Sequence, residues 1–317
     1  MSAQAKQPFD SLLLFTYGGP ETMDEVVPFV RSVLGPRASD ERIEAAARKY
    51  DYLEGISPIN EQSRALLVHL INRMREAAPN VSVFWATLHS QPTLEDSVAQ
   101  MVGSGVKHTA IFVPAPLESA LMHRKYLQAL NDALDQYSGQ TVPEFTFLSS
   151  FSDEPLYLNA LRTTVQKGIQ SLLKETARPI HVVFSAHSLP AGQQDSEEYD
   201  AQFQRIVEKT ANGLNLDSYS KAYQSVPANS PIEWLKPEVG DVVWSLRNQT
   251  PKPAVLIVPL GFPLDNMEVA YDLDYQMNVL CENIDIPMRR APTVGAEIDF
   301  VETIVQQVLN NRGTQLK

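Results

Sequence analysis

Cysteine is almost absent from this protein: Cys281 is the single cysteine among 317 residues. One thiol cannot close an intramolecular disulfide bond, and it cannot supply the cysteine ligands of a zinc or iron–sulfur site. Both exclusions fit a reducing compartment. We therefore predict a cytoplasmic location and no iron–sulfur cluster.

Basic residues are also scarce, because 26 Lys and Arg stand against 38 Asp and Glu and leave a net charge of −12. A nucleic-acid-binding surface needs clustered cations, so nucleic acid is not an expected partner. A local basic patch for a small acidic ligand remains compatible with this total.

Long apolar runs are missing as well. No stretch approaches the roughly 18 residues that are needed to span a bilayer. The N-terminal segment MSAQAKQPFD lacks the basic and apolar parts of a signal peptide. We expect neither export nor stable membrane insertion.

What the chain does contain is an alternation of short apolar runs with longer helical patterns. The runs are rich in Val, Ile, Leu and Phe without clean alternation, which is typical of parallel strands covered on both faces. The predicted strands are Ser11–Tyr17, Val81–Thr87, His108–Pro114, Glu144–Ser150, Ile180–Ala186, Ser220–Ser225 and Ala254–Gly261. Strand–helix alternation in both halves predicts an α/β protein with doubly wound sheets.

The length suits two domains of about 150 residues each. The predicted join near Ser149–Glu154 divides the chain into residues 1–150 and 151–317. The last helical stretch, residues 297–312, could pack back on the first domain.

The segment SAHSLP places His187 directly after a predicted strand, at the edge where doubly wound sheets bind ligands. A neutral imidazole there can accept a proton or bind a metal. The alternative is a histidine that ties down a turn together with Ser188 and Pro190. A Ser–His hydrolase fits less well, because no G-x-S-x-G elbow is present.

The segment DNMEVAYDLDYQ follows the last predicted strand. Glu268, Asp272 and Gln276 recur every four residues and therefore share one face of a helix. Two carboxylates on one face suggest a path for a cation or a proton relay. An acidic first turn that favours the helix N-terminus is the alternative.

Two further predicted strand ends carry a tyrosine and a histidine. FTYGGPET ends the first strand at Tyr17, beside the permissive pair Gly18–Gly19, and TLHSQP carries His89 after the second. The first is no dinucleotide fingerprint, because the third glycine is missing. A tyrosine in this position can equally be a packing residue.

Taken together, these segments resemble the ferrochelatase family, whose members insert ferrous iron into a porphyrin. The resemblance covers nearly the whole chain, in order, through LLLFTYGGPE, EGISPINEQSRAL, FSAHSLP, YQS with EWLKPEV, and PLGFPLDNMEVAYDLDYQ. It implies two Rossmann-like domains with four-stranded parallel sheets and a cleft between them. Fe(II) and a porphyrin are the implied substrates, with no permanently bound cofactor.

The length and the missing membrane segment are similar to those of the monomeric bacterial members that act on coproporphyrin III. The loop YDYLEGISPINEQ lacks the long apolar lip of membrane-associated relatives, which favours this tetracarboxylate. The alternatives are a protoporphyrin IX ferrochelatase, a chelatase inserting cobalt or nickel into a sirohydrochlorin-type ring, and a non-catalytic haem-binding homologue. A periplasmic-type solute-binding protein shares the two-lobed form, but the N-terminal segment does not resemble a signal sequence.

The resemblance also implies residue roles. His187 and Glu268 match the catalytic pair that contacts the metal, and Asp272 matches the next acid of the metal path. Tyr17 and His89 match cleft residues of the family, and Ser188 is a further expected porphyrin contact. The propionates of a porphyrin need cationic or N–H donors, for which the candidates are Arg31, Arg37 and Ser57, with Asn60 or Arg64 nearby. The guanidinium of an arginine can donate two parallel hydrogen bonds to one carboxylate, so it suits the propionate groups of a porphyrin.

Two positions depart from the family pattern. Asn266 stands where the family usually has a histidine, and Gln276 stands where some bacterial members have a third acid. These changes predict a weaker outer metal path.

Overall fold

A computed structural model describes residues 8–227 and 230–314. The expectation about a signal peptide falls partly on residues 1–7, which lie outside this range. The described residues form two compact units. The N-terminal unit comprises residues 8–114, 121–151 and 295–314, and the C-terminal unit comprises 115–120, 152–227 and 230–294.

Strands and helices alternate along the described chain. The strands are β1 (Ser11–Thr16), β2 (Ser82–Thr87), β3 (His108–Phe112), β4 (Glu144–Leu148), β5 (Ile180–His187), β6 (Tyr219–Gln224), β7 (Ala254–Val258), β8 (Met288–Arg290) and β9 (Gly313–Thr314). The α-helices are α1 (Met23–Leu34), α2 (Asp40–Ala47), α3 (Ile59–Ala77), α4 (Leu94–Ser104), α5 (Ala120–Asp135), α6 (Pro155–Leu173), α7 (Gln194–Leu214), α8 (Val239–Leu246), α9 (Met277–Asn283) and α10 (Ile298–Leu309). Two 3₁₀ turns, Arg48–Leu53 and Val294–Ala296, and a π-helix, Val269–Gln276, complete the described elements.

The sheet of the N-terminal unit has the order β2-β1-β3-β4-β9. Its first four strands pair in parallel, and β9 adds a two-residue antiparallel edge. Every residue of β1 is buried, as expected for a central parallel strand. Within this unit α10 packs on α3, where Arg73 Nε donates to Glu302 Oε2 over 2.8 Å.

The sheet of the C-terminal unit has the order β6-β5-β7-β8, with all strands parallel. Its core joins residues of β5, β6 and β7 to α8, α9 and the π-helix through Val183, Val243, Ile257 and Leu273. The predicted α/β class with four parallel strands in each sheet is confirmed. The sequence pattern missed β8 and β9, since each has at most three residues and no apolar run.

The loop after β7 crosses the end of β5 at close range. Gly261 donates its backbone N–H to the Ser185 carbonyl over 3.0 Å. A Cβ atom on Gly261 would lie 2.9 Å from the Cα of Ala186, closer than real Cβ contacts allow. The absence of a side chain therefore lets this loop lie against the residue that precedes His187.

The segment predicted as an ordinary helix after β7 is wound differently. Residues Val269–Gln276 form a π-helix, with i→i+5 hydrogen bonds, before the chain returns to α-helix in α9. The expected spacing of the acids along one element holds, but the type of helix was wrong. π-Helices are rare, and they are frequently found at functional sites.

No described helix is both long and apolar enough to cross a bilayer.

Candidate active site

His187 is the last residue of β5, so its side chain stands at the carboxyl edge of the C-terminal sheet. Its backbone carbonyl accepts a hydrogen bond of 2.9 Å from the Tyr199 hydroxyl on α7. Burial, followed by the negative charge of Glu268, raises the pKa of Tyr199 well above its ordinary value. The tyrosine therefore stays protonated and holds the histidine backbone in place.

Glu268 lies at the start of the π-helix and meets the histidine. The Nδ1 atom of His187 lies 3.2 Å from the Oε2 atom of Glu268. Their side chains are 38% and 40% exposed, so both solvent and a ligand can reach the pair. When Nδ1 donates to this carboxylate, Nε2 becomes the nitrogen that accepts a proton or binds a metal.

Gln224 supports both members of this pair from β6. It is the register partner of His187, and its Nε2 atom donates to the Glu268 carbonyl over 3.3 Å. Its Oε1 atom is buried and makes no hydrogen bond in the described structure. The YQS motif marked this segment, but the sequence alone assigned no role to the glutamine.

Asp272 lies in the π-helix, four residues after Glu268. It is buried, and its Oδ2 atom accepts a hydrogen bond of 2.5 Å from the Ser225 hydroxyl. Ser225 has a positive φ of 64°, which turns the chain after β6 toward the π-helix. Gln276, the third position of the predicted acidic face, is exposed.

A further acid that the sequence analysis missed belongs to the same neighbourhood. Burial, followed by the charges of Asp241 and Asp272, raises the pKa of Glu238, the residue before α8. Asn266 has a local structural task, because its Oδ1 atom accepts from the backbone N–H of Val269 over 2.9 Å. This bond caps the start of the π-helix without a histidine at that position.

Ser188 lies beside the pair but faces inward. It is fully buried, its hydroxyl donates to the Leu235 carbonyl over 2.9 Å, and its N–H donates to the Gln224 carbonyl. This is the turn-stabilising alternative considered for the segment. A porphyrin contact by this side chain stays a prediction that its burial does not favour.

In the N-terminal unit, Tyr17 and His89 come together after β1 and β2. Their ring centroids lie 4.8 Å apart, edge to face, and His89 Nδ1 lies 2.8 Å from the Ser32 hydroxyl. The Nε2 atom of His89 is buried without a hydrogen-bond partner in the described structure. Burial, followed by the charge of Lys125, lowers the pKa of His89 to about 4, so the ring is neutral near pH 7.

The remaining predicted porphyrin-binding residues, Ser57 and Arg31, have different surroundings. Ser57 is buried against the Gly19 backbone, where a Cβ on the glycine would meet the serine Oγ at 2.7 Å. The side chain of Arg31 is 55% exposed and pairs with Asp40 over 2.9 Å. A surface ion pair of this kind is weak, so this arginine remains able to exchange partners.

Comparison with known proteins decides the family. A family model described as ferrochelatase matches residues 10–312 of the chain. The chain belongs to the ferrochelatase family. It is therefore a metal-insertion enzyme, and Fe(II) enters as a substrate.

Curated relatives of this ferrochelatase span nearly its full length. The coproporphyrin III ferrochelatase of Frankia alni is 33% identical and aligns with 98% of the chain and 83% of its own length. The ferrochelatase of Rhodopirellula baltica is 31% identical, with 96% and 87% covered. The coproporphyrin III ferrochelatase of Streptomyces coelicolor is also 31% identical, with 97% and 87% covered.

Solved structures share the fold of this ferrochelatase at low sequence identity. SirB from Bacillus subtilis with Fe3+ superposes with a TM-score of 0.57 at 11% identity, covering 96% of each chain. CbiX, the terminal enzyme of sirohaem biosynthesis in denitrifying bacteria, gives 0.54 at 14% identity, covering 95% of this chain and 98% of its own. At these identities the likeness establishes the chelatase-like fold and nothing about substrate.

The lowered pKa of His89 predicts a pH-dependent stability. Between an unfolded value near 6.5 and a folded value of about 4, the unfolded chain binds more protons than the folded chain. The free energy of unfolding should therefore fall as the pH drops through this window. Urea unfolding at pH 7 and pH 5 should show a smaller loss for His89→Gln than for the wild type. Equal losses in both proteins would contradict the prediction.

Proposed function

We propose that this ferrochelatase inserts Fe(II) into coproporphyrin III to give coproheme, a step of haem biosynthesis. The observation that carries the proposal is the His187–Glu268 pair, half-exposed at the carboxyl edge of a parallel sheet. Relatives that carry the coproporphyrin III ferrochelatase name over nearly the whole chain support the choice of substrate. Substrates of doubly wound sheets bind at this edge.

The reaction requires two proton removals. Fe²⁺ enters the ring while two pyrrole N–H protons leave, so the charge of the macrocycle core is unchanged. His187 accepts the two protons one at a time at Nε2 and releases the first to solvent before it takes the second, and Glu268 stabilises each imidazolium through Nδ1. This division of work follows from the hydrogen bond, because the carboxylate orients the ring and raises its basicity.

The metal needs ligands that release it. Imidazole and carboxylate oxygen both suit a divalent first-row ion, and Asp272 continues the carboxylate line from Glu268. Among residues 8–227 and 230–314, no group of three or more histidine, cysteine or acidic side chains could hold a metal ion as a closed site. An open pair suits a substrate ion, because the ion must pass on to the porphyrin.

The porphyrin contacts are assigned to side chains of the N-terminal unit. We propose contacts from Tyr17, Arg31, Ser57 and His89, with the neutral His89 ring able to pair with a polar group of the macrocycle. Binding energy from the ring periphery would distort the macrocycle and expose its nitrogen lone pairs to the metal.

The wider setting is also a proposal. A monomer in the cytoplasm agrees with the single cysteine, which is buried. The chain is divided into two domains, residues 1–150 and 151–317, with the C-terminal domain carrying the catalytic pair.

The deciding experiment is anaerobic Fe(II) insertion followed by absorbance, with coproporphyrin III and protoporphyrin IX compared at equal concentrations. We expect turnover with both porphyrins and a higher kcat/KM for coproporphyrin III. A higher value for protoporphyrin IX would reverse the substrate choice. Tight porphyrin binding without turnover would overturn the catalytic role of the pair and favour a haem carrier. Co(II) and Ni(II) in parallel assays define the metal preference.

A further inference from the structure

An arginine on the edge strand β8 holds two carboxylates at once. Arg290 Nε and Nη2 donate to Asp274 over 2.6 and 3.1 Å. Its Nη1 and Nη2 atoms donate to Asp265, each over 3.1 Å. We call these three residues the arginine clamp.

The clamp brackets the two acids of the proposed metal path. Asp265 precedes Glu268 by three residues, and Asp274 follows Asp272 by two. Side chains two residues apart on a helix do not share a face, so Asp274 turns to the arginine while Asp272 bonds to Ser225. The clamp therefore holds residues on either side of Glu268 and Asp272 in the sequence, and these two acids are not themselves bonded to Arg290 in it.

The clamp is largely shielded from water. Only 16% of the Arg290 side chain is exposed, and Asp265 and Asp274 are 20% and 33% exposed. Without the arginine, two poorly solvated carboxylates would face each other at the two ends of the segment.

The segment needs such a restraint because it is a π-helix. This winding is rare, and its hydrogen bonds do not by themselves favour it over the α-helix. A bidentate guanidinium fixes both distance and direction, whereas an ammonium supplies only charge. The rigid, planar guanidinium of Arg290 thus links Asp265, which precedes the π-helix, to Asp274 within it.

We propose that Arg290 is a positioning residue for metal insertion. By holding Asp265 and Asp274 it keeps Glu268 and Asp272 aligned for handing Fe(II) toward His187. This inference rests on the proposed function of the His187–Glu268 pair. It concerns the metal step, and it predicts that porphyrin binding does not depend on the clamp.

The neighbouring arginine supplies a matched control. Arg289 lies on the same strand and pairs with Glu175 on α6's C-terminal side, with 47% of its side chain exposed. Successive strand residues point to opposite faces, and the acid that pairs with Arg289 is Glu175, which is not a member of the clamp. Arg289→Met removes an ion pair of the same chemistry from the same strand.

The test compares the full-length wild type with Arg290→Met, Arg290→Lys and Arg289→Met in anaerobic Fe(II) insertion. We expect Arg290→Met to lower kcat/KM for Fe(II) by about 10- to 100-fold, the range found for residues that orient metal ligands. The KM for coproporphyrin should hardly change. Arg290→Lys should recover part of the loss, and Arg289→Met should match the wild type. Hydrogen exchange of residues 266–276 should rise in Arg290→Met alone.

A double-substitution cycle separates positioning from general destabilisation. If Arg290 acts through Glu268, Arg290→Met should add little to the metal defect of Glu268→Gln. If Arg290→Met does not fold, Asp265→Asn with Asp274→Asn weakens the same clamp without leaving an unpaired carboxylate. Unchanged Fe(II) kinetics in Arg290→Met, or equal losses of kcat/KM for Fe(II) and for the porphyrin, would overturn the positioning role of Arg290. The proposed function would still stand as long as the wild type inserts iron. A wild type that inserts no iron overturns both.

Discussion

His187→Ala is expected to lower kcat for iron insertion by about 10²–10⁴-fold, the usual contribution of a positioned proton acceptor. The porphyrin affinity should stay nearly unchanged, because the imidazole acts on the central nitrogens and not on the ring periphery. Stopped-flow absorbance for turnover and fluorescence quenching for porphyrin binding measure the two effects separately. A variant whose site had collapsed would lose both turnover and porphyrin affinity, whereas loss of the proton acceptor lowers turnover alone.

The matching control for this variant is His69→Ala, which removes an exposed histidine from α3 in the N-terminal unit. It should keep the wild-type rate. Thermal unfolding of both variants tests the fold, because Tyr199 holds His187 through its backbone carbonyl and not through its ring. Retained turnover in a folded His187→Ala protein would rule out the histidine as the proton acceptor.

Glu268→Gln should lower kcat/KM for Fe(II) by about 10²-fold, at the lower end expected for loss of a catalytic acid–base group. The amide preserves shape and can still accept from His187 Nδ1, which lies 3.2 Å from the carboxylate in the wild type. It removes the negative charge that stabilises both an imidazolium and an approaching cation. Initial rates over a series of Fe(II) concentrations measure the effect.

Glu282→Gln provides the charge-matched comparison, because Glu282 is an exposed acid on α9 of the same unit. Its iron kinetics should equal those of the wild type. If both glutamine variants lose activity equally, the defect reflects the overall field of an acidic protein and not the proposed site. A Glu268→Gln protein with normal iron kinetics would remove this residue from the mechanism.

Much of the fold was predictable because most strands are marked by short apolar runs in the local sequence. The apolar runs that become β1, β3, β5 and β7 are buried on both faces, so their composition differs from that of their surroundings over five or more residues. The predicted end of β5 at Ala186 differed from the observed end at His187 by one residue. β8 was not predictable in this way, since only Met288 of its three residues is buried.

The candidate site shows the same division. His187 was predictable from its position after a buried strand, and the acids from their regular spacing and the family resemblance. Ser188 shows the limit of that reasoning, because its neighbours suited either a ligand or a turn, and only its bond to Leu235 separates the two. The π-helix was equally hidden, since its sequence suits an ordinary helix and its capping bond at Asn266 depends on conformation.

The order of the elements, the strand-end position of His187 and the membership of the ferrochelatase family are properties of short stretches of sequence. Periodicity, punctuation and motifs act over a few residues and are read directly from the chain. The partners of those residues are not local: Tyr199 reaches the His187 carbonyl from α7, and Arg290 reaches Asp265 and Asp274 from β8. Parallel pairing places residues from distant parts of the chain side by side, and that long-range register exists only in the folded protein.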